Sequence, residues 1–315
     1  MKTKELLLRY GRQFGTLAGL IALSIVLWIL TPHFLTISNL LNIAQQTTIV
    51  AIIAVGMTFV IITAGIDLSV GSVLAFAGVV MASLLQKGVP LVIALLAGLG
   101  AGLFCGLLNG LLITIGKLPP FIATLGMMSI ARGAALVYTG GRPISGFSEG
   151  FRWLAVGEVF HISVPIIIMI AVYLIAHFVL TKTKLGRYTY AIGGNEEAAI
   201  LSGVNVRFYK TLVYGLCGML SGLAAIILTA RLNSAQPIAG IMYELDAIAA
   251  TVIGGTSLTG GEGKIFGTLI GALIIGVLRN GLNLLDISSF VQQVVIGAVI
   301  IVAVLFDMAL KSNRK

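Results

Sequence analysis

Charge is scarce in this sequence. Of 315 residues, 20 are basic and 11 acidic, 10% of the chain, where an ordinary soluble domain carries about 25%. That is too little polar surface to cover a soluble fold of this length, so a soluble enzyme and a disordered regulator are both excluded. Cysteine is scarcer still. Cys105 and Cys217 each sit inside an apolar run, with no C-x-x-C partner and no nearby histidine, which removes a disulfide scaffold and a thiolate metal site. Both read as small core hydrophobes. The three histidines, His33, His161 and His177, lack metal-ligand spacing. No G-x-x-x-x-G-K-[ST] loop occurs: GEGKIFG (261–267) has the Gly-Lys pair without the spacing or the hydroxyl. H-E-x-x-H is missing too, and the single G-x-S-x-G string, GFSEG (146–150), lies in a connecting stretch between apolar runs, without the apolar strand run before it that a nucleophile elbow needs. Nothing here hydrolyses ATP or builds an intramembrane active site, so any energy for the chain's work comes from a partner.

Apolar residues are what the chain has in excess, 58% of it, with a mean hydropathy of +1.08. A spanning helix needs about 20 mostly apolar residues. Ten segments qualify, near 15–34, 42–64, 70–86, 89–115, 120–139, 162–181, 208–229, 243–258, 265–285 and 290–310. The eighth is short, opens with Glu244 and Asp246 and ends in glycines, as a partial or re-entrant span would. Lys2, Lys4, Arg9 and Arg12 precede the first run as in a signal peptide, but TPHFLTISNL offers no small-residue cleavage site, so the first span reads as uncleaved.

With the N-terminus inside, alternation places Lys2, Lys4, Arg9, Arg12, Lys117, Lys182, Lys184, Arg187, Arg207, Lys210, Lys264, Lys311, Arg314 and Lys315 inside. Only Lys87, Arg142, Arg152 and Arg231 fall outside. This is the positive-inside bias. The net charge of +9 is therefore topology, and no nucleic-acid partner is expected. The expectation is an all-α polytopic membrane protein of about ten transmembrane helices, both termini cytoplasmic, with a weak internal repeat.

Two connecting stretches stand out. The outside stretch 140–161 mixes charge and aromatics, as a docking surface or a gate would. The inside stretch 182–207 punctuates a helix of its own. Asn195 is an N-cap after two flexible glycines, Glu196 and Glu197 fall in the first turn where the dipole favours anions, and Gly203 is placed to end it. The short helix EEAAILS is either a connector resting on the membrane surface or a docking element for a cytoplasmic partner.

Glycine, at 39 residues, is also informative. Gly98, Gly102, Gly106 and Gly110 form one stripe, and Gly218/Gly222 and Gly267/Gly271 repeat the spacing. Each glycine costs about 1 kcal/mol of helix propensity relative to alanine, and close helix packing in lipid is the return. A faint echo links GIDLSVG (65–71) to GTSLTGG (255–261) and NGL (109–111) to NGL (280–282), and internal repeats are a habit of transporters. Arg132 and Arg279 lie within spans, where each either snorkels or pairs with a carboxylate or free carbonyls. Asp67 is placed to cap the helix that follows it. No span carries two carboxylates in a relay pattern, which argues against ion coupling.

GIDLSVGS (65–72), GRYTYAIGGNEEAAILSGVNV (186–206) and YELDAIAATVIGGTSLTGGEGKIFGTLIGALIIGVLRNGLNLL (243–285) resemble the permease of bacterial ribose-type sugar ABC importers, over residues 20–307. The resemblance implies one transmembrane permease domain, 1–315, in the bacterial inner membrane, with a cytoplasmic coupling loop 182–207 and a periplasmic loop 140–161. It implies a second permease copy, two ATPase subunits on the cytoplasmic face and a periplasmic sugar-binding protein outside. No cofactor of the permease follows, since ATP belongs to the partner. The family's coupling region falls on Gly193, Gly194, Asn195, Glu196, Glu197, Ala198, Ala199 and Gly203. EAAILSG (197–203) fits the start of the E-A-A-x-x-x-G pattern of other ABC importers, but its following I-x-L-P is missing. Branched-chain amino-acid permeases are an alternative within the superfamily. A stand-alone ion-coupled transporter is the rival from another class. For a pentose, path candidates are Gln45, Gln46, Thr47, Thr58, Thr63, Asn109 and Asn280, each of which can instead bond between helices. Arg142, Arg152, Glu244 and Asp246 are candidates for docking the binding protein.

Overall fold

A computed structural model describes residues 2–312, with side-chain surroundings for 15–302, 304 and 305. The basic side chains of Lys2, Lys4, Arg9, Arg12, Lys311, Arg314 and Lys315 lie outside the described residues. The helices are α1 (Lys2–Leu30), α2 (Ile37–Ile62), α3 (Val70–Gln86), α4 (Leu91–Thr114), α5 (Pro120–Thr139), α6 (Glu149–Val156) and α7 (Val164–Lys182). They continue as α8 (Lys184–Gly194), α9 (Glu196–Leu201), α10 (Val206–Leu232), α11 (Tyr243–Ile253), α12 (Ile265–Leu284) and α13 (Ser289–Ser312). The strands are two-residue pairings: β1 (Ile144–Ser145) antiparallel to β4 (Ser234–Ala235), and β2 (Glu158–Val159) antiparallel to β3 (Ile162–Ser163).

Every one of the ten apolar segments carries a helix. Among the described residues, α2, α4, α5, α7, α10 and α12 are long and apolar enough to cross a membrane. The apolar part of α1 (15–30), α3 and the first part of α13 are shorter. The chain is an all-α polytopic membrane protein. Local chemistry sets the boundaries. Thr36 accepts the Asn39 N–H to start α2, Pro119 and Pro120 open α5, and Gly140, at φ 60°, ends it. At 11 residues, α11 is about 16 Å long, half of a bilayer core of about 30 Å. That is too short to cross the core alone.

The core centres on α10, which packs on α4, α2 and α3. The glycine stripe of α4 is its seam. A Cβ on Gly102 would overlap the Gly218 carbonyl, and one on Gly106 the Tyr214 carbonyl. A Cβ on Gly110 would lie 2.5 Å from Thr211 Cα. The two backbones touch, and only glycine permits that approach. A smaller seam joins α11 to α12, where Gly267 meets the Gly254 carbonyl and Gly271 the Ala250 carbonyl. Cys105 and Cys217 are buried core residues, the latter against Gly56. The connections at one end of the bundle hold α8 and α9, hereafter the α9 end. Those at the other end hold α6 and the β1–β4 pair, the α6 end.

Candidate coupling and passage sites

The stretch 182–207 folds as two helices rather than one. Thr183 caps α8, accepting the Gly186 N–H. Asn195 then breaks the chain into extended conformation and caps α9, its Oδ1 accepting the Ala198 N–H at 2.9 Å. Gly203, at φ 81°, ends the element. Glu196 and Glu197 occupy the first turn as expected. Gly193 and Gly194 are not a flexible lead, however: they are the last turn of α8. A Cβ on Gly193 would overlap the Ile62 carbonyl and lie 2.6 Å from the Gly261 amide, so this glycine is fixed by packing.

That packing joins α8 to two loops at once. The Gly261 N–H donates to the Ile62 carbonyl at 2.9 Å, and the Tyr190 hydroxyl donates to the Gly263 carbonyl at 2.6 Å. Burial holds the Tyr190 phenol above its ordinary pKa, so it remains a donor. The two loops are those of the echoed strings: GIDLSVG follows α2 and leads into α3, GTSLTGG follows α11 and leads into α12. On the other side, Lys210 of α10 pairs with Glu196 at 2.7 Å, and Ala199 packs with Ile192 and Val206. Glu197 and Ala198 remain exposed, and so do Ile200 and Leu201, the latter 88%. A cleft of about 460 Å³ opens beside them, lined by Ile113, Lys117, Glu196, Ile200, Arg207 and Lys210 among others.

The polar residues of the spans divide. Asn280 and Asn39 exchange two side-chain hydrogen bonds (2.8 and 3.0 Å). Thr58 bonds Thr268 across α2 and α12 (2.7 Å), and Thr63 donates to the Val60 carbonyl. Asn109 donates to Ser69 (2.9 Å), beside a buried Asp67 whose Oδ1 accepts the Ser69 N–H and hydroxyl. Asp67 thus makes an Asx turn before α3 rather than a cap on it. These four candidates serve helix–helix or local bonds. Thr47 is buried, its hydroxyl without a hydrogen-bond partner among the described residues. Gln45 is half-buried and Gln46 exposed.

Of the four docking candidates, Arg142 and Arg152 are exposed at the α6 end. Glu244 is half-buried, next to Gly71. Asp246 is 1% exposed and pairs with Arg279 at 2.6 Å, so it is not on a surface that a partner meets. Arg132 donates to the Pro237 and Ala239 carbonyls at 2.6 and 2.7 Å. Both span arginines therefore take the pairing role. Sequence reasoning missed Lys210 as partner of Glu196, Tyr190 as a latch and the acceptors of Arg132. Each partner lies on another element, where no spacing rule reaches. It also missed α6, for which Ser148 followed by Glu149 was the available sign.

The family model for the permease component of branched-chain amino acid transport systems matches residues 39–304. The chain belongs to this family of transport permeases. Over 98% of both chains it is 53% identical to the ribose import permease protein RbsC of Bacillus subtilis. With RbsC of Escherichia coli K12 the identity is 52%, over 94% of this chain and 97% of that one. The D-allose transport system permease protein AlsC of the same organism is 42% identical, over 94% and 91%. No solved structure matches. The resemblance to ribose-type importer permeases thus holds along nearly the whole chain. It is a multi-pass subunit of the bacterial inner membrane and a transport protein rather than an enzyme.

Proposed function

We propose that this chain is the permease of an ATP-driven importer that passes ribose or a similar pentose from a periplasmic binding protein to the cytoplasm. Two copies form the passage, ten segments per copy sit in the membrane with α11 as a half-span, and the α9 end faces the cytoplasm. The charge tally supports that orientation. The observation that carries the proposal is the capped, exposed α9, joined through Gly193 to the loops after α2 and α11.

ATP is bound by a partner, and the permease needs no cofactor of its own. The partner ATPase meets Glu197, Ile200 and Leu201, which are exposed, and shares the cleft with Lys117 and Arg207. Its closure moves α9 and α8 as one piece, because Ala199 packs on Ile192 of α8; the Lys210–Glu196 pair is the pivot on α10, and Tyr190 carries the motion to the loop after α11. The motion enters the bundle at both echoed loops and tilts α11 and α12 against α2 and α3. Taking such an equilibrium from 1:99 to 99:1 requires a difference of about 5.5 kcal/mol between the two states, which the ATPase supplies. On the periplasmic face, loop 140–161 with Arg142 and Arg152 receives the binding protein. A pentose offers only hydroxyls, so a wet path with weak contacts passes it without trapping it. Gln45 and Gln46 remain candidates to line it.

Reconstituting this chain with its ATPase and binding protein in vesicles tests the reading. Ribose uptake that requires ATP and all three proteins is expected. Uptake by this chain alone on a proton or sodium gradient overturns it, and uptake of leucine in place of ribose moves the substrate to the amino-acid class.

A further inference from the structure

The chain between α10 and α11 is irregular and deep. Gly240 lies against Gly71: a Cβ on Gly71 would overlap the Gly240 carbonyl, and one on Gly240 would sit 2.5 Å from the Gly71 carbonyl oxygen. Gly71 is 15 residues before the end of α3 at Gln86, a rise of about 22 Å. From the β1–β4 pair at the periplasmic end, residues 236–242 therefore run into the membrane core, as far as the first turn of α3, without helix or strand. Arg132 holds two of their carbonyls, and Met242 sits at φ 72°, a conformation that non-glycine residues adopt rarely and at a cost.

Irregular backbone at membrane depth is tolerated where it is buried in protein or lines water. Here it is buried only in part: Pro237 and Gly240 are buried, but Gln236 is exposed, and Ile238 is 55% and Ile241 58% exposed. Ionisable groups at that depth follow the same rule. The Arg279 side chain is 37% exposed although Asp246 holds one of its nitrogens. The half-buried Glu244 stands one turn from the break.

Resting on the importer reading above, we propose that the break 236–242, with Glu244 and Arg279, lines the water-filled passage through which the sugar crosses the membrane core. The chemistry fits a neutral polyol. Hydroxyls both donate and accept; a carboxylate at Glu244 accepts, and the guanidinium of Arg279 has donors beyond the one given to Asp246. Asp246 balances Arg279 and Arg132 is the cation near Glu244, so the passage is neutral overall.

Single cysteines at Gln236, Ile238 and Ile241, with Leu174→Cys on α7 as a lipid-facing control, test this in the assembled importer. A membrane-impermeant thiosulfonate is the probe, and the buried native cysteines give no background. Modification at least tenfold faster at the three break positions than at the control, slowed by docked, ribose-loaded binding protein, is expected. Rates no faster than the control, or rates that docking does not change, overturn the proposal. Glu244→Gln should lower ribose uptake at least tenfold at unchanged ATP hydrolysis. Because Arg279 variants leave Asp246 unpaired, the double variant Asp246→Asn/Arg279→Gln serves in their place. Wild-type uptake in both sinks the assignment of these side chains. Labelling needs no sugar, so an unlabelled break in a complex that imports ribose defeats this proposal alone. A wild-type complex that imports no sugar defeats the reading beneath it.

Discussion

The α4–α10 seam and the region around α11 use the same residue, glycine, to opposite ends. Along the seam, Gly102 and Gly106 bring two backbones into contact with Gly218 and Tyr214, and no charged side chain intervenes. Such an interface has one packing. Around α11, glycine-mediated contacts at Gly240, Gly254 and Gly267 alternate with half-exposed charge, irregular chain and a non-glycine residue at positive φ. That side is not closed within one chain. The fold thus separates a frame from a working part, and α8 attaches where the working part begins, at the loops after α2 and α11.

Breaking the frame should have the largest effect. Gly106→Leu would drive a side chain into the Tyr214 backbone. Overpacking costs about 1–3 kcal/mol where side chains can yield, and more is expected here because backbone cannot. No detergent-stable protein should be recovered, whereas Gly126→Leu on α5, where a Cβ meets nothing, should purify and melt as wild type. Next comes the attachment point. Gly193→Val, Gly194→Pro and Glu197→Lys should insert normally but uncouple, with ribose uptake down at least tenfold while ATP hydrolysis continues. Uptake at the normal rate would contradict the coupling role of α9. Asn195→Ala, which removes one capping bond, should cost about 1 kcal/mol and lower ATPase affinity a few-fold in a pull-down titration. The smallest effect is expected at the rim: Arg142→Glu and Arg152→Glu should weaken binding-protein association at low salt, with the difference fading as salt rises.

The frame was legible in the sequence. The Gly98–Gly110 stripe follows helical periodicity, so its face and its packing purpose could be read directly. The α9 cap was legible for the same reason, since Asn195, Glu196, Glu197 and Gly203 act within one or two turns. The working part was less so. Asp246 and Glu244 read as a charged lip of a span, and their spacing carried no sign that Arg279, 33 residues on, would bury one of them. Gly193 read as flexible because local sequence shows a glycine's freedom and not the carbonyl that removes it. Thr58, Asn109 and Asn280 looked equally fit for substrate or for helix contacts. The choice fell to partners on distant segments, Thr268, Ser69 and Asn39.

The central claim is that ATP-driven motion enters at α9 and moves the α11 side while the α4–α10 frame stays fixed. Distances between paired spin labels in the assembled importer test it most directly, with one pair across the frame at Leu111 and Phe208 and one across the working part at Leu201 and Ile241. On trapping the ATP-bound state, the frame pair should keep its distance and the working pair should shift by several ångströms. A shift confined to the frame pair, or none in the working pair, would contradict the account.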